Sequence, residues 1–260
     1  GGLQKTMLDI MKHQTLHMMA AEENMKKLKR DIDVYQDSPQ KTVEVQAGKT
    51  TSRGTRNLMR EIQAELNPDL ALEILKEGND RFVKNLKANR NLLQQVNDTA
   101  QGQFPFATIL SCIDSRTSAE LIFDQGLGDV FSIRIAGNIL NEDILGSMEF
   151  ATKVVGTKII IVLGHNKCGA IVGACNNVEL GNLTALLDKV KPAIALEKET
   201  TENRTGSNVR FVDNVTTNNV IHTIERIRRE SPIILDLENT GAIKIVGAIY
   251  NVDNGSVNFL

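Results

Sequence analysis

From Phe106 onward the chain alternates short apolar runs with longer stretches of helical spacing. Residues 106–113, 130–135, 158–163 and 243–250 are each of strand length and rich in β-branched side chains. A turn at Asn254-Gly255 leads into a last short strand, 256–260. Helical patterning between them predicts helices at 143–155, 183–198 and about 208–229. Strands apolar at nearly every position are buried on both faces, and strands alternating with helices imply a parallel sheet. The fold predicted is therefore α/β. Its mostly parallel central sheet has four parallel strands plus an antiparallel edge strand, flanked by helices. In such sheets ligands bind beyond the carboxyl ends of the strands, where the strand order reverses.

The first third reads differently. Residues 3 to about 34 are helix-like, with Met7, Leu8, Met11, Met18, Met19, Met25 and Leu28 forming a packing face suited to a partner subunit. Residues 36–56 are polar, carry Pro39, Gly48 and Gly54, and read as a linker or extended arm. Helical patterning resumes at Asn57. At Asn67-Pro68-Asp69 a second helix starts, with Asn67 as N-cap and Pro68 at the first helical position, and runs to about Leu86. The expected organisation is an N-terminal helical arm and linker, 1–57, followed by one α/β domain, 58–260.

Composition narrows the functions. An apolar fraction of 41% over 260 residues excludes a disordered chain. Thirty basic residues against 32 acidic leave a net charge of −2, so there is no basic field for nucleic acid. No apolar run approaches the ~20 residues of a membrane span. Gly1-Gly2-Leu3-Gln4-Lys5 has no initiator Met and no apolar signal region, and reads as a tag scar or a processed end. Three cysteines are an odd number and make no disulfide framework.

Two of those cysteines stand at strand ends. Cys112 closes the first core strand in Ser111-Cys112-Ile113-Asp114-Ser115-Arg116, and Cys168 follows the third in Gly164-His165-Asn166-Lys167-Cys168-Gly169. The His-x-x-Cys spacing lets His165 and Cys168 meet one ion from a single turn, while Cys112 reaches it from the neighbouring strand. Zinc takes thiolate and imidazole ligands, and three protein ligands with one open position is its catalytic pattern. Asp114 and Arg116 follow Cys112 by two and four residues. An Arg beside an Asp keeps the carboxylate ionised and oriented. Two thiolates cancel the dication's charge, so water activated there is less acidic than at a His-only site.

These segments, together with 122–129 (Ile122-Phe123-Asp124-Gln125-Gly126-Leu127-Gly128-Asp129) and 133–138 (Ile133-Arg134-Ile135-Ala136-Gly137-Asn138), closely resemble the β-class carbonic anhydrases. The resemblance runs from about Asn67 to the C-terminus. It implies that Cys112, His165 and Cys168 bind one Zn2+ per subunit, that Asp114 and Arg116 form the catalytic dyad, and that the substrates are CO2 and bicarbonate. Gln103 stands where the family places an active-site glutamine that reaches in from the dimer interface, which implies a homodimer or a dimer of dimers. Backbone groups near Gly169 are placed to steady substrate oxygens. Ile113 stands where relatives usually have a small residue, and Thr117-Ser118 where they often have Val-Pro; neither is expected to touch the ligand set. The chain also lacks the Trp of a non-catalytic bicarbonate site found in some bacterial members.

Other motifs read blandly. Cys175 has no partner motif and reads as a core residue. His13 and His17 lack the Glu of a His-Glu-x-x-His site, and 46–50 (Gln46-Ala47-Gly48-Lys49-Thr50) lacks the first Gly of a phosphate loop. His222 reads as a surface residue. Hydrolysis of carbonyl sulfide or carbon disulfide on the same scaffold, and a non-catalytic zinc-binding regulator, stay open at this level. A thiol redox protein would want a Cys-x-x-Cys pair, which is absent. Reduced thiolates fit the cytoplasm, and zinc protection makes a periplasmic or organellar home compatible after processing.

Overall fold

The computed structural model describes residues 23, 26, 27, 29, 30 and 60–260. The expected helix at 3–34 lies outside the described residues except at those first five positions, which are helical. The 36–56 linker, His13, His17 and the 46–50 motif lie outside them altogether. The chain divides into two units, one of residues 1–46 and 88–91, the other of 47–87 and 92–260. The sheet and every candidate site residue belong to the second.

The sheet is five-stranded: β1 (Ala107–Ser111), β2 (Val130–Arg134), β3 (Ile159–His165), β4 (Lys244–Tyr250) and β5 (Val257–Phe259). Its order is β2-β1-β3-β4-β5, with the first four parallel and β5 antiparallel against β4, as the sequence predicts. Every residue of β1 and β3 is buried, which only a sheet covered on both faces allows. After β1 the chain goes to β2 on one side and returns for β3 on the other. The strand order therefore reverses between β1 and β3, and the crevice at their carboxyl ends is where such sheets bind ligands.

Helix α1 (Pro68–Val83) starts as expected, the Asn67 side chain accepting from the N–H of Leu70 at 2.9 Å with Pro68 in the first turn. Two short helices, α2 (Leu92–Thr99) and α3 (Ala119–Ile122), carry too few turns to show a period and escape sequence reading. The helix expected at 143–155 is α4 (Glu142–Glu149), continued by a wider π-turn over Phe150–Val155. The single helix expected at 183–198 is two, α6 (Gly181–Asp188) and α7 (Lys191–Leu196), following α5 (Gly169–Cys175). Pro192 causes the break: it has no N–H for the Asp188 carbonyl and its ring crowds that carbonyl, so a helix restarts with Pro192 in its first turn.

The long helix α8 (Val209–Glu230) is capped by Asn208, and Pro232 opens α9 (Pro232–Asn239) directly behind it. α8 lies close over the sheet because Gly164 and Gly247 have no side chains there. A Cβ at either position would come within 2.8 Å of Val220. That close approach seats the middle of α8 directly on β3 and β4. Cys175 is buried in the adjoining core with Ile171, Leu187 and Phe211, as expected of a packing residue.

Candidate metal centre

β1 pairs with β3 so that Ser111 stands opposite Leu163. Cys112, one residue further on, and His165, two further on, therefore reach the same edge of the sheet. Cys168 completes the group from the N-cap of α5. One donor atom from each of Cys112, His165 and Cys168 lies within 4.8 Å of the other two, and all three residues are buried. This is the one such cluster among the described residues. The two sulfurs are 3.9 Å apart and both thiols are free.

The imidazole is set up as a ligand. His165 Nδ1 lies 2.8 Å from the Asn166 carbonyl oxygen, which can only accept, so Nδ1 carries the proton. Nε2 is left with a lone pair, buried and without a hydrogen-bond partner. Orphaned buried polar atoms are costly and rare. A cation held between this nitrogen and the two sulfurs removes the cost, and a ligating His that donates its other N–H to a carbonyl is the usual metal arrangement. The donor set fits zinc.

The sulfurs are equally primed. Two thiols this close in a buried site hold a proton between them and titrate as a pair. The Cys112 thiol is pushed down to about 4 by its hydrogen bond with Cys168, against burial, and further by His165 and the Gly137 N–H. Its Sγ accepts that N–H at 3.3 Å. Cys168 is pushed up by the same hydrogen bond and by burial, while N–H groups of Ile171 and Ala170 at the start of α5 pull the other way.

Beside the cluster, Arg116 donates to Asp114 through Nε (2.9 Å to Oδ1), Nη2 (2.8 Å to Oδ2) and its backbone N–H (3.0 Å to Oδ1). These bonds hold the Asp114 carboxyl well below the usual carboxylate range. The turn that carries it is clamped from two sides. Arg134 donates from β2 to the carbonyls of Cys112 (3.1 Å) and Asp114 (2.6 Å). The Thr117 hydroxyl, fully buried, lies 3.0 and 2.8 Å from the same two carbonyls. Thr117 thus grips the backbone of Cys112, which corrects the expectation that it stays clear of the candidate ligand set. Ile113, by contrast, points outward and is 61% exposed.

Asn166 and Lys167 tie the other ligand loop to the β4–β5 turn. Asn166 donates to Asp253 at 3.0 Å and accepts from the Val252 N–H at 2.8 Å, and Lys167 pairs with Asp253. These contacts leave no local mark in the chain, because their partners lie more than 80 residues away. Gly169 opens α5 with nothing within 4 Å of where a Cβ would stand, so that edge is clear for a small molecule. Gln103 is exposed on the segment entering β1, and among the described residues no hydrogen bond joins it to the cluster.

Comparison with known proteins agrees with this geometry. The family model for carbonic anhydrase matches residues 107–257, more than half of the chain, and includes the Cys112–His165–Cys168 cluster with Asp114 and Arg116. The chain belongs to the carbonic anhydrase family. Carbonic anhydrase 2 of Mycobacterium tuberculosis is 36% identical over 197 residues, covering 73% of this chain and 91% of the relative. The solved β-carbonic anhydrase CcaA is 25% identical with a TM-score of 0.58, covering 72% of this chain and 94% of that one. The β-carbonic anhydrase CafA of Aspergillus fumigatus, 24% identical with a TM-score of 0.58, shares the fold and covers 74% of this chain and 89% of that one. The β-class reading made from the sequence motifs is thereby upheld. The sheet of four parallel strands with an antiparallel edge strand matches the fold of these solved β-carbonic anhydrases.

Proposed function

We propose that this carbonic anhydrase interconverts carbon dioxide and bicarbonate with one Zn2+ per chain, held by Cys112, His165 and Cys168. The observation that carries the reading is the unpartnered, buried Nε2 of His165 among two thiol sulfurs. Zinc, when bound, supplies the Lewis-acid activation of water that makes it a nucleophile near neutral pH.

The chain's own groups do the positioning. Asp114 stays ionised through Arg116 and accepts a hydrogen bond from the attacking water, aiming its lone pair at the carbon of CO2. Oδ1 already takes two donors from Arg116 and Oδ2 takes one, so Oδ2 is the oxygen with room for that bond. The buried apolar surroundings suit an uncharged substrate, and the clear edge at Gly169 leaves backbone N–H groups to face its oxygens. The product proton leaves to solvent.

We read the working unit as a homodimer or dimer of dimers, with residues 1–57 as a partner-directed arm. Among the described residues β2 is an edge strand with one side unpaired; the Phe150 ring (52% exposed) lies 6.4 Å from that of Phe131 in β2, and Val154 (70%) is exposed on the same π-turn. In that assembly Gln103 reaches the substrate from the dimer interface. Among the described residues no helix is long and apolar enough to cross a membrane, and a thiolate site suits the reducing cytoplasm.

Zinc analysis and stopped-flow CO2 hydration test the reading. Wild type should carry one zinc and turn over rapidly. Cys112→Ala should lose metal and activity together, and Asp114→Ala should keep the metal and lose about 10²-fold or more in kcat. A zinc-replete wild type that is inactive at every pH up to about 9 overturns it.

A further inference from the structure

Asn219 sits in the middle of α8 and is only 2% exposed. A carboxamide is a poor choice for a buried helix interior, since it competes with the backbone for hydrogen bonds and is costly to desolvate. Its helical neighbours Val215 and Val220 are buried and apolar. Asn219 instead reaches out of the helix, its Nδ2 donating to the Gly137 carbonyl at 2.9 Å across 82 residues of sequence. Gly137 lies in the one-turn 3-10 segment Ala136–Asn138 with φ +68°, a conformation natural to glycine. Its N–H is the donor that meets Cys112 Sγ at 3.3 Å.

This turn has little freedom. A Cβ at Gly137 would come within 3.3 Å of Ala170, which follows Cys168 by two residues. α8 is itself seated hard against the sheet through Val220 over Gly164 and Gly247. The Gly137 turn is therefore held between α5 and α8, with Asn219 as its polar anchor.

The geometry points to Asn219 as a positioning residue for the metal centre: it fixes the Gly137 turn so that one backbone N–H aims at the Cys112 sulfur. The inference rests on Cys112 being a metal ligand and adds a role that no ligand carries. An N–H···S bond draws electron density from the thiolate, so less charge passes to the metal. In a site with two thiolates this preserves Lewis acidity that the sulfurs would otherwise quench.

Cobalt substitution reads this directly, because thiolate-to-cobalt charge transfer absorbs in the near ultraviolet. Asn219→Leu removes the donor and keeps the site filled. Thr216→Val on the same helix is the control: Thr216 is also 2% exposed, but its hydroxyl bonds Val212 within the helix at 2.8 Å. Asn219→Leu should move the charge-transfer band to longer wavelength and, with the Gly137 turn and Cys112 no longer held in place, release zinc to a chelator about 10-fold or more faster. Thr216→Val should melt at lower temperature yet keep the wild-type band and release rate. If Asn219→Leu does not fold, Asn219→Ser shortens the side chain out of reach and is read the same way. A folded Asn219 variant with the wild-type band and release rate overturns the positioning role alone. A wild-type protein that takes up no cobalt overturns the metal-centre reading beneath it, and with it the role of Asn219.

Discussion

Arg116 and Asp114 are joined side by side, Nε to Oδ1 at 2.9 Å and Nη2 to Oδ2 at 2.8 Å, a two-point fit that fixes the plane of the carboxylate as well as its charge. Arg116 itself is half exposed, so the pair lies at the mouth of the site with Asp114 on the inner side. Orientation, more than stability, is what this contact supplies. Arg116→Ala should leave zinc content and melting temperature near wild type while lowering kcat/KM about 10²-fold. Stopped-flow hydration beside metal analysis checks it, and equal activity in the variant would show that Asp114 needs no such guide.

Thr117 makes the complementary backbone clamp, its hydroxyl within 3.0 Å of the Cys112 and Asp114 carbonyls. Thr117→Val keeps the shape and removes the donor. The variant should lose about 1–3 kcal/mol in urea denaturation, with a further fall in hydration rate as Asp114 drifts. Thr117→Ser, which restores the hydroxyl, should recover most of the rate.

The three cysteines should separate in a thiol titration. With zinc bound, none should react readily. A strong chelator should free the Cys112–Cys168 pair, whose first proton is lost easily, and lower the melting temperature because the metal binds only the folded chain. Cys175 is pushed up to about 11 by burial and should react only in denaturant. Mass spectrometry after alkylation assigns the sites, and early labelling of Cys175 would contradict the order.

Glu197 predicts an acid limb to the stability curve. It is 2% exposed, and burial alone would raise its pKa. Hydrogen bonds from Asn214 (3.1 Å), from Thr200 (2.9 and 3.0 Å) and from Arg204 outweigh that and lower it below the ordinary 4.5. A carboxyl whose folded pKa is depressed stabilises the fold above its unfolded value and loses that contribution as pH falls through the folded one. Urea midpoints should therefore fall in wild type as pH drops below the ordinary carboxylate value of 4.5, and fall less in Glu197→Gln, which cannot titrate. Parallel curves for the two proteins would remove Glu197 from the account.

The central strands β1 and β3 are legible in the amino-acid sequence because burial on both faces forces a residue choice that leaves a visible run, as at Ile159-Ile160-Ile161-Val162. The start of α1 is legible for a similar reason: Asn67 and Pro68 act on their own backbone. Cys112, His165 and Cys168 stand out because thiols and imidazoles are rare and lie at strand ends. The split of 183–198 is partly written in Pro192, and periodicity alone passes over it. Short α2, α3 and α5 offer no period to read.

What sequence cannot supply is every relation made across distance. The pairing of Ser111 with Leu163, which brings Cys112 and His165 to one edge, follows from sheet order. Nothing near Asn219 in the chain foretells that it reaches Gly137, or that Gly137 turns an N–H toward Cys112. Local propensity and burial are properties of a residue and its near neighbours, so the chain carries them openly. A hydrogen bond between distant segments depends on how whole elements pack, to a tolerance of a few tenths of an ångström, and here it is decided only by the seating of α8 over Gly164 and Gly247.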